Sequence, residues 1–387
     1  QLIAAQAPCI GGNLVCLLFA SALQMLRSCF SVLLVSQLLC QAASHSGTQG
    51  SPVARANTIF DLLAFGRHHR HSKSKWSICE ESEWRKKSLK LIKEVPFAGI
   101  FRDLQGESKF EASGLVHVND TYFAVFDSHR SLGVVNDELE VMSAANHLAG
   151  EIGGESQFEG ITYMPHTDTF LVVQESHRHP DNTLKPLIEE LLLFPNKTSY
   201  RSIKTCDLEL ELTHENKGIE SIQFYDAGEQ GKFLFALCEG NFCTGGKKGK
   251  RPGNGRIVIS QLEADSNNES NCRWVPYKIV NVPPSAYFID YSGMAFSGDR
   301  FGIVSQENSA LWVGGFDFES MDFQGSGEVY HFPRDNNCDM IYCTVEGLSW
   351  IDHYRVAVTL DRAKADQPFV CTPKDQSIAV FMLPYGS

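Results

Sequence analysis

The sequence contains no long hydrophobic run, no long stretch of helical periodicity and no tract dominated by glycine or proline. A transmembrane helix needs about 20 consecutive apolar residues. Gln24, Arg27 and several serines interrupt the apolar segment 10–39 before that length is reached, which disfavours a membrane anchor. Aromatic residues make up 11% of the chain, which argues against disorder. The sequence therefore predicts a folded domain that is not built from long helices.

Basic patches and several catalytic motifs are also missing. The formal net charge is -12 and the basic stretches are short, so we do not expect the chain to bind nucleic acid. No Gly-x-Ser-x-Gly motif of a serine hydrolase occurs. The basic, glycine-rich segment 245–256 does not match the phosphate-binding Gly-x-x-x-x-Gly-Lys-Ser/Thr pattern, and no helix is predicted after it. We predict a surface loop there.

The first 88 residues differ in character from the rest. Translation is predicted to start at Met25, which leaves residues 1–24 as upstream sequence. Residues 25–43 have the layout of a secretory signal peptide, with Arg27, an apolar run and small residues. Residues 44–88 are predicted to be a basic leader or linker with one short helix over 59–65, and the His-rich run at 67–71 is interpreted as solvated rather than metal-binding. We expect a secreted or endomembrane-lumen protein without a stable membrane span.

Cysteines and glycosylation sequons support this compartment. An even number of cysteines follows the signal, as expected where disulfides form: 79, 206, 238, 243, 272, 338, 343 and 371. The close pairs Cys238 with Cys243 and Cys338 with Cys343 are candidates for small disulfide loops. Sequons begin at Asn119, Asn196 and Asn268 in polar, turn-like contexts. The sequence thus predicts a disulfide-bonded glycoprotein.

From residue 89 onward, short apolar runs alternate with polar turns, which is typical of an all-β domain. A motif of Ser or Glu, a small residue and a larger apolar residue recurs at spacings of 46, 61, 72 and 54 residues. Its copies are Ala112-Ser-Gly-Leu-Val, Phe158-Glu-Gly-Ile-Thr, Ile219-Glu-Ser-Ile-Gln, Tyr291-Ser-Gly-Met-Ala and Val345-Glu-Gly-Leu-Ser. Units of this length suit the four-stranded blades of a β-propeller with variable outer loops.

Each copy continues into a second strand that ends on an acid: Asp127, Glu175, Glu239, Glu307 and Asp361. Further strands are predicted at 257–262, 274–282, 311–316 and 328–332, whereas 184–193 has the composition of a helix fragment that can also end as a strand. The last repeat has only 377–383 left, so a strand within 91–100 is predicted to complete it. We therefore predict a β-propeller over 89–387 with five four-stranded blades, six being the alternative count, in which the N-terminal strand closes the last blade.

The recurring Ser or Glu occupies one equivalent position in the innermost strand of every blade: Ser113, Glu159, Glu220, Ser292 and Glu346. Innermost strands line the central channel, so these side chains are expected to form a ring around the axis. Carboxylates brought so close repel one another unless a cation lies among them. Carboxylate and hydroxyl oxygens suit a hard cation such as Ca²⁺ better than zinc. The sequence predicts an axial calcium site.

This ring resembles that of the secreted five-bladed calcium-activated nucleotidases, or apyrases. Segments 112–123 and 345–350 are similar to the first and last inner strands of that family. The resemblance implies one central calcium held by the five ring side chains. The family has Asp where this chain has Gly114, and Asp-Asp-Arg-Thr-Gly where this chain has Phe126-Asp-Ser-His-Arg-Ser. The resemblance therefore supports the fold and the metal more than the activity.

A second resemblance is to six-bladed propellers of the SdiA-regulated and phytase-like esterase groups. Their strands also carry a Glu-Gly-Ile or Glu-Gly-Leu motif whose Glu faces the axis. The aspartate-rich motif of β-propeller phytases is absent from this chain. The count of five repeats favours the five-bladed family.

The leading hypothesis is a secreted, calcium-stabilised propeller whose channel mouth binds an anionic small molecule. The sequence leaves open whether it is an enzyme. As an enzyme it would hydrolyse a phosphoanhydride, with Asp127, Glu175 or Glu239 orienting water. Candidate phosphate contacts are Arg130, His129, His177, Arg178 and Lys217, with ion pairing to neighbouring acids as the other interpretation. The alternatives are a non-catalytic module that binds a protein or carbohydrate, and a phytase-like phosphoesterase.

Overall fold

The computed structural model describes residues 86–104, 109–150, 154–265 and 268–384. The predicted upstream segment, signal peptide, short helix and His-rich run lie outside the described residues. Within them, no helix has the length and hydropathy of a membrane span.

The described residues form twenty strands joined by turns and loops. In chain order they are β1 (Lys90–Pro96), β2 (Ala112–Val118), β3 (Thr121–Phe126), β4 (His129–Asn136), β5 (His147–Ala149), β6 (Phe158–Met164), β7 (Thr169–Arg178), β8 (Leu184–Leu193), β9 (Tyr200–Leu208), β10 (Ile219–Asp226), β11 (Lys232–Cys238), β12 (Arg256–Asp265), β13 (Asn268–Asn281), β14 (Gly293–Ser297), β15 (Arg300–Ser305), β16 (Ala310–Asp317), β17 (Asp322–His331), β18 (Val345–Trp350), β19 (Arg355–Leu360) and β20 (Ser377–Met382). Two one-turn helices, α1 (Phe97–Ile100) and α2 (Gly246–Gly249), lie between strands.

These strands make five antiparallel blades of four. Blades 1 to 4 are β2–β5, β6–β9, β10–β13 and β14–β17, and blade 5 is β18, β19, β20 and β1. The N-terminal strand therefore closes the last blade, with Lys90 opposite Met382 and Pro96 opposite Ser377. The prediction of an all-β, five-bladed propeller closed by the N-terminal strand is confirmed.

The innermost strands β2, β6, β10, β14 and β18 contact one another in cyclic order, which closes the ring around the axis. The small residue of the recurring motif makes this approach possible. A Cβ added at Gly114 would lie 3.0 Å from the Cα of Gly160, and one at Gly347 would lie 2.8 Å from the backbone nitrogen of Leu115. A Cβ at Gly293 would lie 1.9 Å from the carbonyl oxygen of Glu346. The motif is thus small at its second position because neighbouring backbones meet there.

Side chains of the inner strands also bond to the backbone of the next blade. Thr162 of blade 2 accepts a hydrogen bond from the Phe224 N–H at 3.0 Å. Ser349 of blade 5 accepts one from the His117 N–H at 2.9 Å. Such bonds satisfy backbone groups that the short inner ladders leave free.

The hydrophobic core lies between the blades. Five buried apolar clusters occur in the described part of the chain, and each is shared by two neighbouring blades. Phe235 of blade 3, for example, packs with Phe301 and Trp312 of blade 4. Each such side chain contributes about 1.5–3 kcal/mol when fully buried, so the blades are stabilised mainly by stacking against each other.

The segment Leu184–Leu193 forms strand β8 and not a helix. It pairs on both sides, with β7 and with β9. Pro186, which would remove a hydrogen bond from a helix interior, falls where the β7–β8 register shifts between Gln174 and His177. Proline is tolerated at such a bulge because no ladder bond is lost there. Similarly, the strand predicted within 91–100 ends at Pro96, and α1 follows it.

The outer edges of blades 2 and 3 are joined to each other. Strands β9 and β13 pair in parallel at Asp207–Arg273 and Leu208–Trp274, and the disulfide Cys206–Cys272 spans the same junction. Blades 2 and 3 therefore form one eight-stranded sheet.

Two further disulfides join cysteines that the structure describes. The predicted Cys238–Cys243 pair is confirmed. The alternative of a Cys338–Cys343 loop is wrong, because Cys343 is bonded to Cys371, 28 residues away. Close spacing in sequence did not decide this pairing, because the fold places Cys371, in the 3₁₀ helix Phe369–Lys374, with its Cα 5.7 Å from that of Cys343.

Candidate functional site: an acidic cavity on the axis

The ring residues leave the strand ladder at a bulge. In β2, β6, β10 and β18 the register of pairing shifts at the motif, between Ala112 and Gly114 in β2 and between Phe158 and Gly160 in β6. The residue within each shift is Ser113, Glu159, Glu220 or Glu346, and it has no partner in the ladder. A β-bulge re-aims a side chain in this way. The repeated bulges turn one polar side chain towards the axis in each of these four blades.

A cavity of about 430 Å³ lies at this end of the axis. It is lined by nine carboxylates and three lysines, together with Ser113, Gln157, Asn216 and Gln306. The carboxylates are Glu111, Asp127, Glu155, Glu159, Glu175, Glu220, Glu239, Glu346 and Asp361, and the lysines are Lys109, Lys217 and Lys364. We call this space the axial cavity. It contains four of the five predicted ring residues and four of the five acids that end the second strands, whereas Ser292 and Glu307 do not line it.

Three carboxylates converge most closely. One oxygen each from Glu175, Glu220 and Glu239 lie within 4.8 Å of one another. Glu175 accepts a hydrogen bond from the Gly218 N–H at 2.9 Å, and Glu239 accepts one through Oε1 from Lys217. The other oxygen of Glu239, Oε2, is shielded from solvent and has no hydrogen-bond partner within the described chain. A buried acceptor without a partner is a candidate ligand for a cation.

Burial and mutual repulsion raise the pKa values of these acids. Burial is the largest cause of the raised pKa of Glu220, followed by the charges of Glu239 and Glu159. Burial likewise raises the pKa of Glu175 to about 7, partly offset by the Gly218 hydrogen bond and by Lys217. It also raises the pKa of Asp361 to about 7. Burial and mutual repulsion thus favour the protonated forms of these carboxylates.

Burial and neighbouring carboxylates also raise the pKa values of the other two glutamates of the ring. Burial, with the charges of Asp127 and Glu175, raises the pKa of Glu159, although a hydrogen bond with Ser113 opposes the shift. Burial and the charge of Asp361 raise the pKa of Glu346. Ser292 differs from the others, because its Oγ donates to the Val345 carbonyl at 2.7 Å and the residue does not line the cavity.

The predicted water-orienting residues Asp127, Glu175 and Glu239 all line the axial cavity. Of the predicted phosphate contacts, Lys217 alone lines it. Arg130 forms a bidentate pair with Glu189 at 2.8 and 3.1 Å, and it stacks on Phe158. The structure therefore groups the predicted acids but brings only one of the predicted cations to them.

The other three predicted cations lie elsewhere. His129 is fully buried beside Phe110 and Phe126. Arg178 is ion-paired with Glu215, and His177 packs edge-on against His179. The residues of the repeated acid-Ser-His-Arg motif therefore form ion pairs and packing contacts in these two blades.

Sequence reasoning missed Lys364 and Gln306, which complete the cavity wall. Lys364 lies three residues after the strand-end acid Asp361. This spacing is too weak a signal to identify it from sequence. Burial opposes its charge, but the fields of Glu346 and Asp361 outweigh this and raise its pKa. A cationic Lys364 therefore lies beside the carboxylates.

A second cavity of about 680 Å³ adjoins the first, and the two share Lys217, Glu239, Gln306 and Lys364 as lining residues. We call it the side pocket. Its walls include Ile289, Met340, Val370, Lys250 and Arg334. The glycine-rich loop predicted as a surface loop contributes Gly245, Gly246 and Gly249 to this wall, with α2 inside it. The loop thus belongs to the candidate site.

The sequons at Asn119 and Asn196 lie in exposed turns between strands. Asn268 begins strand β13. Glycosylation of these residues stays a prediction.

Comparison with known proteins adds little to this geometry. No family model and no curated protein matches the sequence. Among solved structures, glutaminyl cyclase from Myxococcus xanthus is 11% identical, with a TM-score of 0.42 and coverage of 77% of this chain and 97% of that one. The PQQ-bound aldose sugar dehydrogenase from Streptomyces coelicolor is 8% identical, with a TM-score of 0.40 and coverage of 75% and 98%.

The calcium-binding protein regucalcin from Agrobacterium tumefaciens is 12% identical, with a TM-score of 0.37 and coverage of 74% and 94%. At such identities and TM-scores these likenesses carry no argument about function. The order of the strands establishes the propeller, and the side chains of the axial cavity must support any statement about its chemistry.

Proposed function

We propose that this protein is a calcium-dependent propeller that binds an anionic, phosphate-bearing small molecule at the axial cavity and hydrolyses a phosphoanhydride there. The convergence of Glu175, Glu220 and Glu239, together with the unpartnered Oε2 of Glu239, supports this proposal most directly. Secretion, as the sequence predicts, would place the protein where calcium is abundant.

The donor set fits a hard divalent cation. All three converging groups are carboxylates, and no histidine or cysteine lines the axial cavity among the described residues. Ca²⁺ takes 6–8 oxygen ligands at 2.3–2.6 Å, so Glu159 or Glu346 and water would complete a shell around the three. Nine carboxylates against three lysines leave an excess of negative charge that a cation would offset.

The lysines and the side pocket support an anionic ligand with an organic part. Lys364 and Lys217 line both cavities, so an anionic group at their junction would meet the two ammonium groups. The rest of the ligand would extend into the side pocket between Ile289, Met340 and Val370. A cavity of mixed apolar and polar character beside a charged site is typical of small-molecule binding.

The acids divide into two groups by position. Glu175, Glu220 and Glu239 form the proposed cation site. Asp127 lines the same cavity outside that trio, and burial followed by the charge of Glu111 raises its pKa. An ionised Asp127 would orient a water molecule and accept its proton. A bound calcium ion would neutralise negative charge on the phosphate oxygens.

Phosphate release from nucleoside diphosphates, with and without calcium, tests the proposal. We expect calcium-dependent release by the wild-type chain, and loss of both release and calcium binding in Glu220→Gln. Asp127→Asn should keep calcium binding, measured by calorimetry, and lose phosphate release. Glu263→Gln is the matched control, because Glu263 pairs with Arg273 on blade 3 away from the cavity.

The outcomes separate the alternatives. Calcium binding without release from nucleotides or phytate would overturn the hydrolase and favour a binding module. Release from phytate alone would favour the phosphoesterase. Absence of calcium binding by the wild-type chain would overturn the cation site itself.

A further inference from the structure

A second cluster of metal-ligand side chains lies on blade 1. One ligand atom each from His117, Asp120 and Asp137 lie within 4.8 Å of one another. His117 lies on β2, Asp120 in the turn that follows, and Asp137 directly after β4. His117 is four residues from Ser113, about 13 Å along an extended strand. The cluster is therefore separate from the axial cavity.

The histidine is held in place and has a nitrogen available. Its ring packs against that of Tyr122, the residue opposite it in the ladder, with ring centroids 4.7 Å apart. Its Nε2 is shielded from solvent and makes no hydrogen bond to any residue that the structure describes. Leaving such a nitrogen unpaired costs free energy. Burial lowers the pKa of His117.

The turn brings the two carboxylates together. Asn119 and Asp120 both have positive φ, 47° and 58°, as in the two-residue turns typical of β-hairpins. The Asp137 N–H donates to the Asp120 carbonyl at 3.2 Å, which fixes the two segments relative to each other. Both aspartate side chains are exposed. An ion can therefore reach these carboxylates from solvent, and a ring nitrogen of His117 lies within 4.8 Å of an oxygen of each.

We propose that His117, Asp120 and Asp137 bind one divalent first-row transition metal ion of the zinc class. A neutral imidazole with two carboxylates suits zinc, whereas calcium takes oxygen ligands alone. Ligand distances of about 2.0–2.2 Å require the exposed carboxylates to move inward by about 1 Å, a small side-chain rotation. The remaining coordination positions are open to water. The ion would clamp the β2–β3 turn to the end of β4.

One neighbouring cation opposes this site. The charge of Arg355 on blade 5 acts against protonation of His117. Arg355 is ion-paired with Asp352 at 2.7 Å, so its charge is largely compensated. The charges of Asp120 and Asp137 favour a cation at His117 and together match the charge of a divalent ion.

Cobalt binding in the presence of excess calcium tests this proposal independently of the axial site, which calcium is proposed to fill. The experiment uses the full chain with His68, His69 and His71 replaced by serine, because that run could bind cobalt by itself. We expect one equivalent of Co²⁺ to bind, with visible absorption bands of nitrogen-oxygen coordination and broadened NMR signals of the His117 ring. Zinc should raise the melting temperature of the same protein by mass action.

Three variants of the protein that carries the three His-to-Ser replacements, called the parent here, test the proposed ligands. His117→Gln should weaken cobalt binding by at least about tenfold, as loss of a metal-site residue does. Asp120→Asn should do the same, and asparagine keeps the positive φ of the turn. Asn119→Gly is the matched control, since it alters the same turn without removing a ligand, and its affinity should equal that of the parent. Circular dichroism verifies that each variant is folded.

Two results would overturn the site: no cobalt binding by the parent in excess calcium, or binding by His117→Gln equal to that of the parent. Loss in Asp120→Asn but not in His117→Gln would show a carboxylate-only site and would also contradict the proposal.

Discussion

At the axis of this propeller, neighbouring blades meet backbone to backbone without a covalent link, and the adjoining cavity is lined by nine carboxylates. At the rim, by contrast, the described strands of blades 2 and 3 share a ladder and the Cys206–Cys272 disulfide. Because the backbones approach closely at the axis, the second position of each repeat must be a small residue. The polar side chain at the first position is the one that the bulge projects into the remaining space. The rim has no such constraint, which explains why the spacing between repeats varies while the motif does not.

Removal of the rim disulfide should give the largest loss of stability. The bond closes a segment of 66 residues, and a loop of this size predicts a cost of about 4 kcal/mol for Cys206→Ser with Cys272→Ser. Guanidinium unfolding of the oxidised proteins measures it. The axial calcium site should be unaffected.

The control for that change is Cys238→Ser with Cys243→Ser, whose bond spans 5 residues and lies next to Glu239. Its removal should cost less stability but weaken calcium binding. Equal losses of stability in the two double variants, or weaker calcium binding only in the rim variant, would contradict this division between rim and axis.

Gly293→Ala should give the next largest effect. The new methyl group would lie 1.9 Å from the Glu346 carbonyl oxygen in the next blade, so two backbones must separate. We expect a loss of about 3 kcal/mol, at the upper end for overpacking. Gly99→Ala, where the nearest atom is 4.0 Å away, is the matched control and should be nearly neutral. A neutral Gly293→Ala would show that the axis tolerates expansion.

The smallest expected effect is the pH dependence of the calcium-free protein. Burial raises the pKa of Glu175 from 4.5 to about 7 and that of Asp361 from 3.8 to about 7. The folded protein therefore binds more protons than the unfolded chain between these values, and stability is lost as pH rises from about 4.5 towards 7. We expect a change on the order of 1 kcal/mol after solvent screening.

Thermal unfolding in chelator at pH 5.5 and 7.5 measures this change. Calcium should remove the loss, because the cation replaces the protons. A chelated protein that becomes more stable between these two pH values would contradict the raised pKa values at the axis. Glu263→Gln at the rim should leave the pH dependence unchanged.

Much of the fold was predictable from sequence because the repeat is local. Five copies of one motif, each followed by a strand, identified the inner pairs of strands and the closure by the N-terminal strand. Two features could not be predicted in this way, because they depend on contacts between residues distant in sequence. Leu184–Leu193 has helical composition but is fixed as a strand by partners on both sides. Cys343 pairs with Cys371 because tertiary folding, not spacing, brings the sulfur atoms together.

The candidate site was predictable only in part. Sequence equivalence indicated five ring positions, yet Ser292 is bonded to the Val345 carbonyl outside the cavity. Glu175 and Glu239, predicted as water-orienting residues, converge with Glu220 instead. The cations Lys364 and Arg334 come from irregular segments whose positions depend on how the loops pack over the axis.

By itself the sequence indicated five blades, with six as the alternative, a ring closed by the N-terminal strand and an acidic axis, because a side chain at a fixed place in each repeat must recur around the centre. Only the tertiary structure decided which acids meet within 4.8 Å of one another and that His117 lies beside Asp120 and Asp137. It also decided which lysine side chains line the axial cavity. Bulges, loop folding and cross-strand packing set those distances, and none of them is encoded in a short motif.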